Sequence, residues 1–126
     1  MNPEIKAQWL EALRSGEYIQ GSLRLKWKDH GGPTQYCCLG VLCDLAEKAG
    51  VVRKDSRRSM FQSTKVTYIS TQDLYDRSSS VLPLAVMKWA GLNSPVGQYE
   101  TDEDLVTVND NGGSFQYIAG IIEEKF

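Results

Sequence analysis

A nearly continuous apolar run occupies residues 36–50 and constrains the fold of this chain more than any other segment. Apolar residues recur in it with the period of one helix face, at positions 38, 41, 42, 45, 46 and 49. Leu39 and Cys43 add a second apolar strip, so little of such a helix would face water. We therefore predict a buried central helix that begins near Cys38 and ends at Gly50.

Three more helices are predicted around this one. Asn2 is a good N-cap before Pro3, and the amphipathic pattern that follows ends near Gly16. Another helix opens at Pro83 after a run of serines, and the last one begins at Ser114. Each shows apolar residues at helical spacing, so all of them are expected to pack on the same core.

Strand patterns lie between the helices. Residues 22–28 alternate, with Leu23, Leu25 and Trp27 on one face and Arg24, Lys26 and Lys28 on the other. A turn rich in glycine then allows residues 34–37 to return as an antiparallel partner that leads into the central helix. This pattern predicts a half-buried β-hairpin.

β-Branched residues predict two further strands, at 65–69 and 105–108. The rest of residues 53–80 is polar and shows no period, which predicts a polar excursion or long loop. The predicted fold class is α+β. We expect one small domain over residues 1–126, with about four helices packed on a short antiparallel sheet or hairpin.

Composition places the chain among ordinary globular proteins. Hydrophobic residues make up 41% and charged residues 24%, with a net charge of −2. The first residues show no signal peptide, and no segment is long enough to span a bilayer, so we expect a cytoplasmic protein without membrane association. Three cysteines within seven residues do not form a disulfide framework, which agrees with a reducing compartment.

The cysteines also raise the question of catalysis. Cys37 and Cys38 stand where a strand is predicted to turn into a helix, a position that can lower the pKa of a thiol. The one available base is His30, which lies upstream in a turn, so core packing is the preferred interpretation. The cysteines and His30 cannot converge on one zinc ion from a single helix start. No metal or cofactor is expected.

Charge is unevenly distributed along the chain. Cationic residues predominate between 53 and 80, and residues 100–110 are acidic. If the strand that carries Arg24 and Lys26 lies beside Arg57 and Arg58, these four side chains form a basic patch suited to phosphate groups. The acidic net charge and the lack of a helix with a basic recognition face do not favour binding to duplex DNA.

Asn109 and Asp110 are the remaining candidate ligand-binding residues. They are predicted to form a turn whose side chains bond the free amides at the start of the Ser114 helix. Such a turn would shape a binding site even without direct contact to a ligand. Gly112 and Gly113 beside it could form an anion-binding concavity.

Two motifs carry a resemblance to a known group of proteins. One is the YCCLGVLCDL run at 36–45, and the other joins Asn109-Asp110 to Ser114-Phe115 and Ile118-Ala119. In this order they resemble a family of small proteins encoded by bacteriophages and prophages. The resemblance covers most of the chain outside residues 53–80. It implies an accessory role in an infected bacterial cell and no particular activity.

In that context a binding protein is favoured over an enzyme. The hypothesis is a non-enzymatic phage accessory protein that binds a host defence protein or a nucleotide-like small molecule and counteracts bacterial immunity by sequestration. This step rests on analogy. One alternative is a small enzyme that uses Cys38 or Asp110, and another is a structural or regulatory phage protein that docks on a host protein. The sequence leaves a homo-oligomer open.

Overall fold

The computed structural model describes residues 1–58 and 63–126 and, of Arg58, only the backbone. Within these residues five helices form: α1 (Pro3–Arg14), α2 (Cys38–Lys48), α3 (Leu84–Ala90), α4 (Leu105–Asp110) and α5 (Phe115–Lys125). The strands are β1 (Ile19–Gln20), β2 (Lys26–Lys28), β3 (Thr34–Tyr36), β4 (Val52–Arg58), β5 (Thr64–Ser70), β6 (Arg77–Ser78), β7 (Gln98–Glu100) and β8 (Glu103–Asp104). No described helix is long and apolar enough to cross a bilayer.

Six of these strands form one mixed sheet. Its order is β1-β3-β2-β5-β4, and β6 pairs with one end of β5. β1 runs parallel to β3, whereas the other pairs are antiparallel. β7 and β8 form a separate small hairpin. The α+β class and the single small domain are confirmed, but the sheet is larger than the predicted hairpin.

The central helix is confirmed as α2. Cys37 is its N-cap, and Leu39, Val41, Leu42 and Cys43 are completely buried in the shared core. α2 contacts β3 and β4 on one face of the sheet, and α1, α3 and α4 pack around it. The apolar sequence therefore corresponds to a helix that is buried over most of its surface, with Lys48 exposed in its last turn.

The predicted helix ends are also confirmed. Asn2 Oδ1 accepts hydrogen bonds from the amides of Glu4 and Ile5, at 2.9 Å and 3.2 Å. Ser114 caps α5 by accepting from the Tyr117 amide, and Gly91 ends α3 in the left-handed region with φ of 74°. These signals are local, so they can be read directly from the sequence.

The prediction of a long loop over residues 53–80 is wrong. β4 and β5 pair without interruption from Val52 opposite Ser70 to Arg58 opposite Thr64, and the predicted strand at 65–69 lies inside β5. β4 is an edge strand, and its polar residues from Arg53 to Arg57 are exposed or half-buried on both faces. Charged side chains are common on such edges because they discourage pairing with other chains.

The prediction of a strand at 105–108 is wrong as well, because these residues begin α4. Asp104 accepts hydrogen bonds from the amide of Thr107 at 2.8 Å and from its hydroxyl at 3.0 Å. This N-cap and the burial of Leu105 outweigh the β preference of the valines and threonine. The number of helices rises from about four to five.

Only the second half of the alternating segment 22–28 is a strand. β2 begins at Lys26 and pairs antiparallel with β3 as predicted. Leu23, expected on the buried face, is 74% exposed and has a φ of 71°. The Asp110 carboxylate holds this bend, because its Oδ1 accepts a hydrogen bond from the Leu23 amide at 3.0 Å.

Candidate functional site

The face of the sheet that points away from α2 is called the outer face here. Val66 and Tyr68 of β5 are buried in the core beneath α2. Because side chains alternate along a strand, Lys65 and Thr67 lie on the opposite, outer face. The same face contains every residue that pairs directly with these two across neighbouring strands.

A row of five directly paired residues crosses the outer face. Pairing joins Ile19 to Gln35, Gln35 to Trp27, Trp27 to Lys65, and Lys65 to Arg57. These residues, which we call the cross-strand row, come from β1, β3, β2, β5 and β4 in turn. At the usual strand spacing the row is about 19 Å long. It is apolar at one end, aromatic in the middle and cationic at the other.

The cationic end of the outer face extends beyond this row. Arg53 and Arg77 pair with Ile69 from either side, so both side chains lie on the outer face, and both are exposed. Arg57 has an 80% exposed side chain, and its Nε lies 3.7 Å from Asp55 Oδ2. Cationic side chains therefore outnumber the carboxylate at this end, which favours an anionic ligand.

A polar depression adjoins the apolar end of the row. It has a volume of about 350 Å³ and is lined by Gln20, Gly21, Ser22, Gln35, Asn109, Asp110 and Gly112. Gln35 therefore belongs both to the row and to the depression. Together the two features form one continuous surface with polar, aromatic and cationic parts.

Gly21 lines the depression and lies against Trp27. A Cβ at this position would lie 2.8 Å from Gln35 Cβ and 3.0 Å from Trp27 Nε1. The Trp27 indole N–H is buried and has no hydrogen-bond partner in the described part of the chain. A buried donor of this kind ordinarily has a hydrogen-bond partner, and this one lacks a partner at a position next to the depression.

Asn109 forms the floor of the depression. Its Oδ1 accepts from the Cys38 amide at 3.1 Å and from Gln20 Nε2 at 3.0 Å. Its Nδ2 donates to the Gly21 carbonyl at 2.8 Å. The side chain is buried, and these bonds tie α4 to the start of α2 and to the end of β1. Asn109 is therefore a supporting residue rather than a free ligand-binding group.

The cysteines are core residues in the structure. Cys38 and Cys43 are completely buried. Cys37 is 4% exposed, and its Sγ accepts a hydrogen bond from the Gly40 amide. Burial raises the pKa of the Cys37 thiol to about 11 and those of the other two well above their usual range. His30 lies exposed in the β2–β3 turn. Within residues 1–58 and 63–126, no three His, Cys, Asp or Glu side chains could hold a metal ion.

Comparison with known proteins gives one result. A family model described as a domain of unknown function, DUF8296, matches residues 1–126. The chain belongs to this family. No curated protein and no solved structure matches the chain. The functional interpretation of this DUF8296 member therefore depends on its own residues.

Lys26 and Arg57, two of the predicted basic residues, lie on opposite faces of the sheet. Lys26 lies on the α2 side of the sheet, directly opposite Tyr36, with its Nζ 5.1 Å from the centre of that ring. Arg57 lies on the outer face, and β5 separates its strand from β2. Arg24 is exposed in the bend before β2, and the side chain of Arg58 lies outside the described residues.

Asn109 and Asp110 are placed differently from the prediction. They form the last turn of α4, and Ser114 itself caps α5, so the expected capping turn is wrong. Both residues nevertheless line the depression. The sequence did not reveal Gln35 as their neighbour in the depression, or Lys65 as a further residue of the outer face. Only the strand register brings these residues together, and no motif encodes that register.

A second polar cluster lies on the α2 side of the sheet. The Tyr18 hydroxyl donates to Asp44 Oδ2, and Lys48 Nζ lies 3.2 Å from the same oxygen. Burial, followed by the bond to Asp44, raises the pKa of Tyr18 to about 12. The same carboxylate raises the pKa of Lys48.

We expect the free energy of unfolding to fall as pH rises from about 9 to about 12. Cys37, Tyr18 and Lys48 all hold their protons more tightly in the folded chain than in the unfolded one. Their stabilising contribution is complete below their unfolded pKa values and is lost as pH rises toward the folded values. Urea unfolding followed by circular dichroism across this range measures the effect. A constant or rising midpoint would contradict it.

Proposed function

We propose that this protein is a non-enzymatic binding protein that sequesters a small nucleotide-like anion on its outer face. The observation that carries the proposal is the cross-strand row, in which Trp27 stands between a polar depression and two cations. Acting in the cytoplasm of an infected bacterium, such a phage accessory protein would counteract host defence by withdrawing a signalling nucleotide.

The middle and the cationic end of the row suit a base joined to a phosphate. An indole provides a flat apolar surface on which a nucleobase can stack. Lys65 lies one strand away from Trp27 and Arg57 two strands away, about 5 and 10 Å at the usual spacing. Both are exposed cations, and charge-assisted hydrogen bonds to phosphate oxygens are among the stronger ones in proteins.

The polar depression suits the hydroxyl or amino groups of such a ligand. Asp110 uses Oδ1 for the Leu23 and Asn109 bonds, and its Oδ2 has no partner among the described residues. Gln35 presents an amide from the row itself. The unpartnered N–H of Trp27 is buried behind Gly21, which lines the depression.

Binding is better supported than catalysis by the available groups. A thiol nucleophile must ionise, and burial raises the pKa of all three thiols. The cysteines lie in the core between the helices and the sheet, away from the exposed surface that carries the row. An enzyme that uses one of these cysteines would need to open its own core first.

Charge reversal on the outer face tests the proposal. We expect Arg57→Glu and Lys65→Glu each to weaken nucleotide binding by about tenfold or more, because each removes a charge-assisted bond. Isothermal titration with mononucleotides, dinucleotides, cyclic dinucleotides and inorganic phosphate measures the affinity. Lys28→Glu is the matched control, since Lys28 is exposed and makes the same change of charge on the other face.

Two results would contradict the proposal. One is that none of these compounds binds to the wild-type protein. The other is that Lys28→Glu weakens binding as much as Arg57→Glu does, which would indicate a general charge effect and no defined site. Trp27→Phe adds an independent readout, because the quenching of tryptophan fluorescence by a stacked base should disappear in that variant while the protein remains folded.

A further inference from the structure

The loop between β5 and β6, residues 71–76, is fixed at both ends. The Thr71 hydroxyl donates to the carbonyls of Gly50 and Val51, at 3.0 Å and 3.1 Å. The Asp76 carboxylate accepts from the amides of Leu84 and Ala85, at 2.7 Å and 2.8 Å. The loop is therefore held against both the start of β4 and the start of α3.

This loop, held at both ends, presents apolar side chains to solvent. Tyr75 is 95% exposed and Leu74 is 63% exposed at its tip, and Leu84 is 51% exposed at the start of α3. The bonds of Asp76 hold these two elements together. Contiguous exposed apolar side chains mark interaction surfaces, and a tyrosine on a preorganised loop is a frequent anchor of such surfaces.

A groove lies beside the tip. It has a volume of about 460 Å³, and its lining includes Val51, Thr71, Leu84, Ala85, Asp73 and Lys88. Asp76 lines it as well, with its carboxylate bonded to the amides at the start of α3. Asp73 and Lys88 carry opposite charges. In the described part of the chain neither Asp73 nor Lys88 forms an ion pair. One patch therefore combines an apolar projection, a groove and an unpaired charge of each sign.

We infer that this patch binds a second copy of the chain. A two-fold dimer uses the same surface on both partners, so its interface must be self-complementary. Here Tyr75 of each protomer enters the groove of the other, and Asp73 of one faces Lys88 of the other. The outer face of the sheet is not part of this interface, so the inference is independent of ligand binding.

Analytical ultracentrifugation over a series of protein concentrations tests the dimer. We expect the wild-type chain to associate reversibly into dimers. Tyr75→Ser removes the anchor, and Lys88→Glu places two carboxylates opposite each other. Each change should raise the dimer dissociation constant by about tenfold or more. Tyr117→Ser is the matched control, because Tyr117 is a similarly exposed tyrosine, 62%, on α5 and outside the groove.

Folding of the variants is checked by circular dichroism, and none of the three side chains is buried. A wild-type chain that stays monomeric at every concentration overturns the inference. The inference is also overturned if the Tyr75→Ser and Lys88→Glu variants dimerise as strongly as the Tyr117→Ser control. The interface must then lie elsewhere. Weakening of the dimer by added salt supports the pairing of Asp73 with Lys88.

Discussion

Replacing Gly40 by alanine is expected to destabilise the fold by more than about 3 kcal/mol. A Cβ at this position would lie 1.7 Å from the carbonyl oxygen of Leu25 and 2.6 Å from its carbonyl carbon. Both are backbone atoms, so no side-chain rotation relieves the overlap. α2 must move away from the segment before β2, and the core beneath it must open. Urea unfolding followed by circular dichroism measures the loss.

Gly120→Ala is the matched control for this change. Gly120 is also a helical glycine, but it is exposed on α5 and a Cβ there would meet nothing within 4 Å. Alanine should stabilise that helix by roughly 0.5–1 kcal/mol because the unfolded chain loses freedom. The two substitutions therefore have opposite expected signs. Equal stability of the Gly40→Ala variant and the wild type would show that α2 does not approach Leu25 so closely.

The second large effect is expected at Asn109. Asn109→Ala should lower the free energy of unfolding by roughly 2–4 kcal/mol, because it leaves the Cys38 amide and the Gly21 carbonyl buried without partners. Asn109→Asp keeps the shape but turns the donor toward Gly21 into an acceptor, so it should be similarly harmful. Thermal and urea unfolding measure both variants.

Asp110→Ala serves as the comparison for the Asn109 variants. It removes an acceptor from an exposed bend, so a loss of about 1 kcal/mol is expected. An Asp110→Ala variant less stable than Asn109→Ala would contradict the assignment of Asn109 as the supporting residue. If the proposed function holds, Asp110→Ala should weaken ligand binding by the folded protein more than it weakens stability, because the proposal assigns Asp110 Oδ2 to the ligand.

The helices of this fold are largely predictable from the sequence because their determinants are local. The caps at Asn2 and Ser114 and the stop at Gly91 each act within a few residues. α4 is the exception. Its valines favour a strand, and the deciding group is a single carboxylate at Asp104 just before them.

The sheet is less predictable because its pairing is not local. β4 consists mostly of charged residues, and its strand conformation depends on pairing with β5. The outer face is defined by the register of strands that are far apart in sequence. Lys65 and Trp27 are directly opposite one another, but no pattern in either segment indicates this. The basic patch predicted from Lys26 and Arg57 is divided for the same reason.

The bonds of Asn109 also affect when this protein can fold. The first amide of α2, that of Cys38, is satisfied by a side chain 71 residues later in the chain. A ribosome synthesises the central helix long before the group that completes its first turn. Contacts of such long range slow folding and make it cooperative. Folding of the central helix is therefore expected to finish only after α4 has been synthesised, when Asn109 joins the start of α2 to the end of β1.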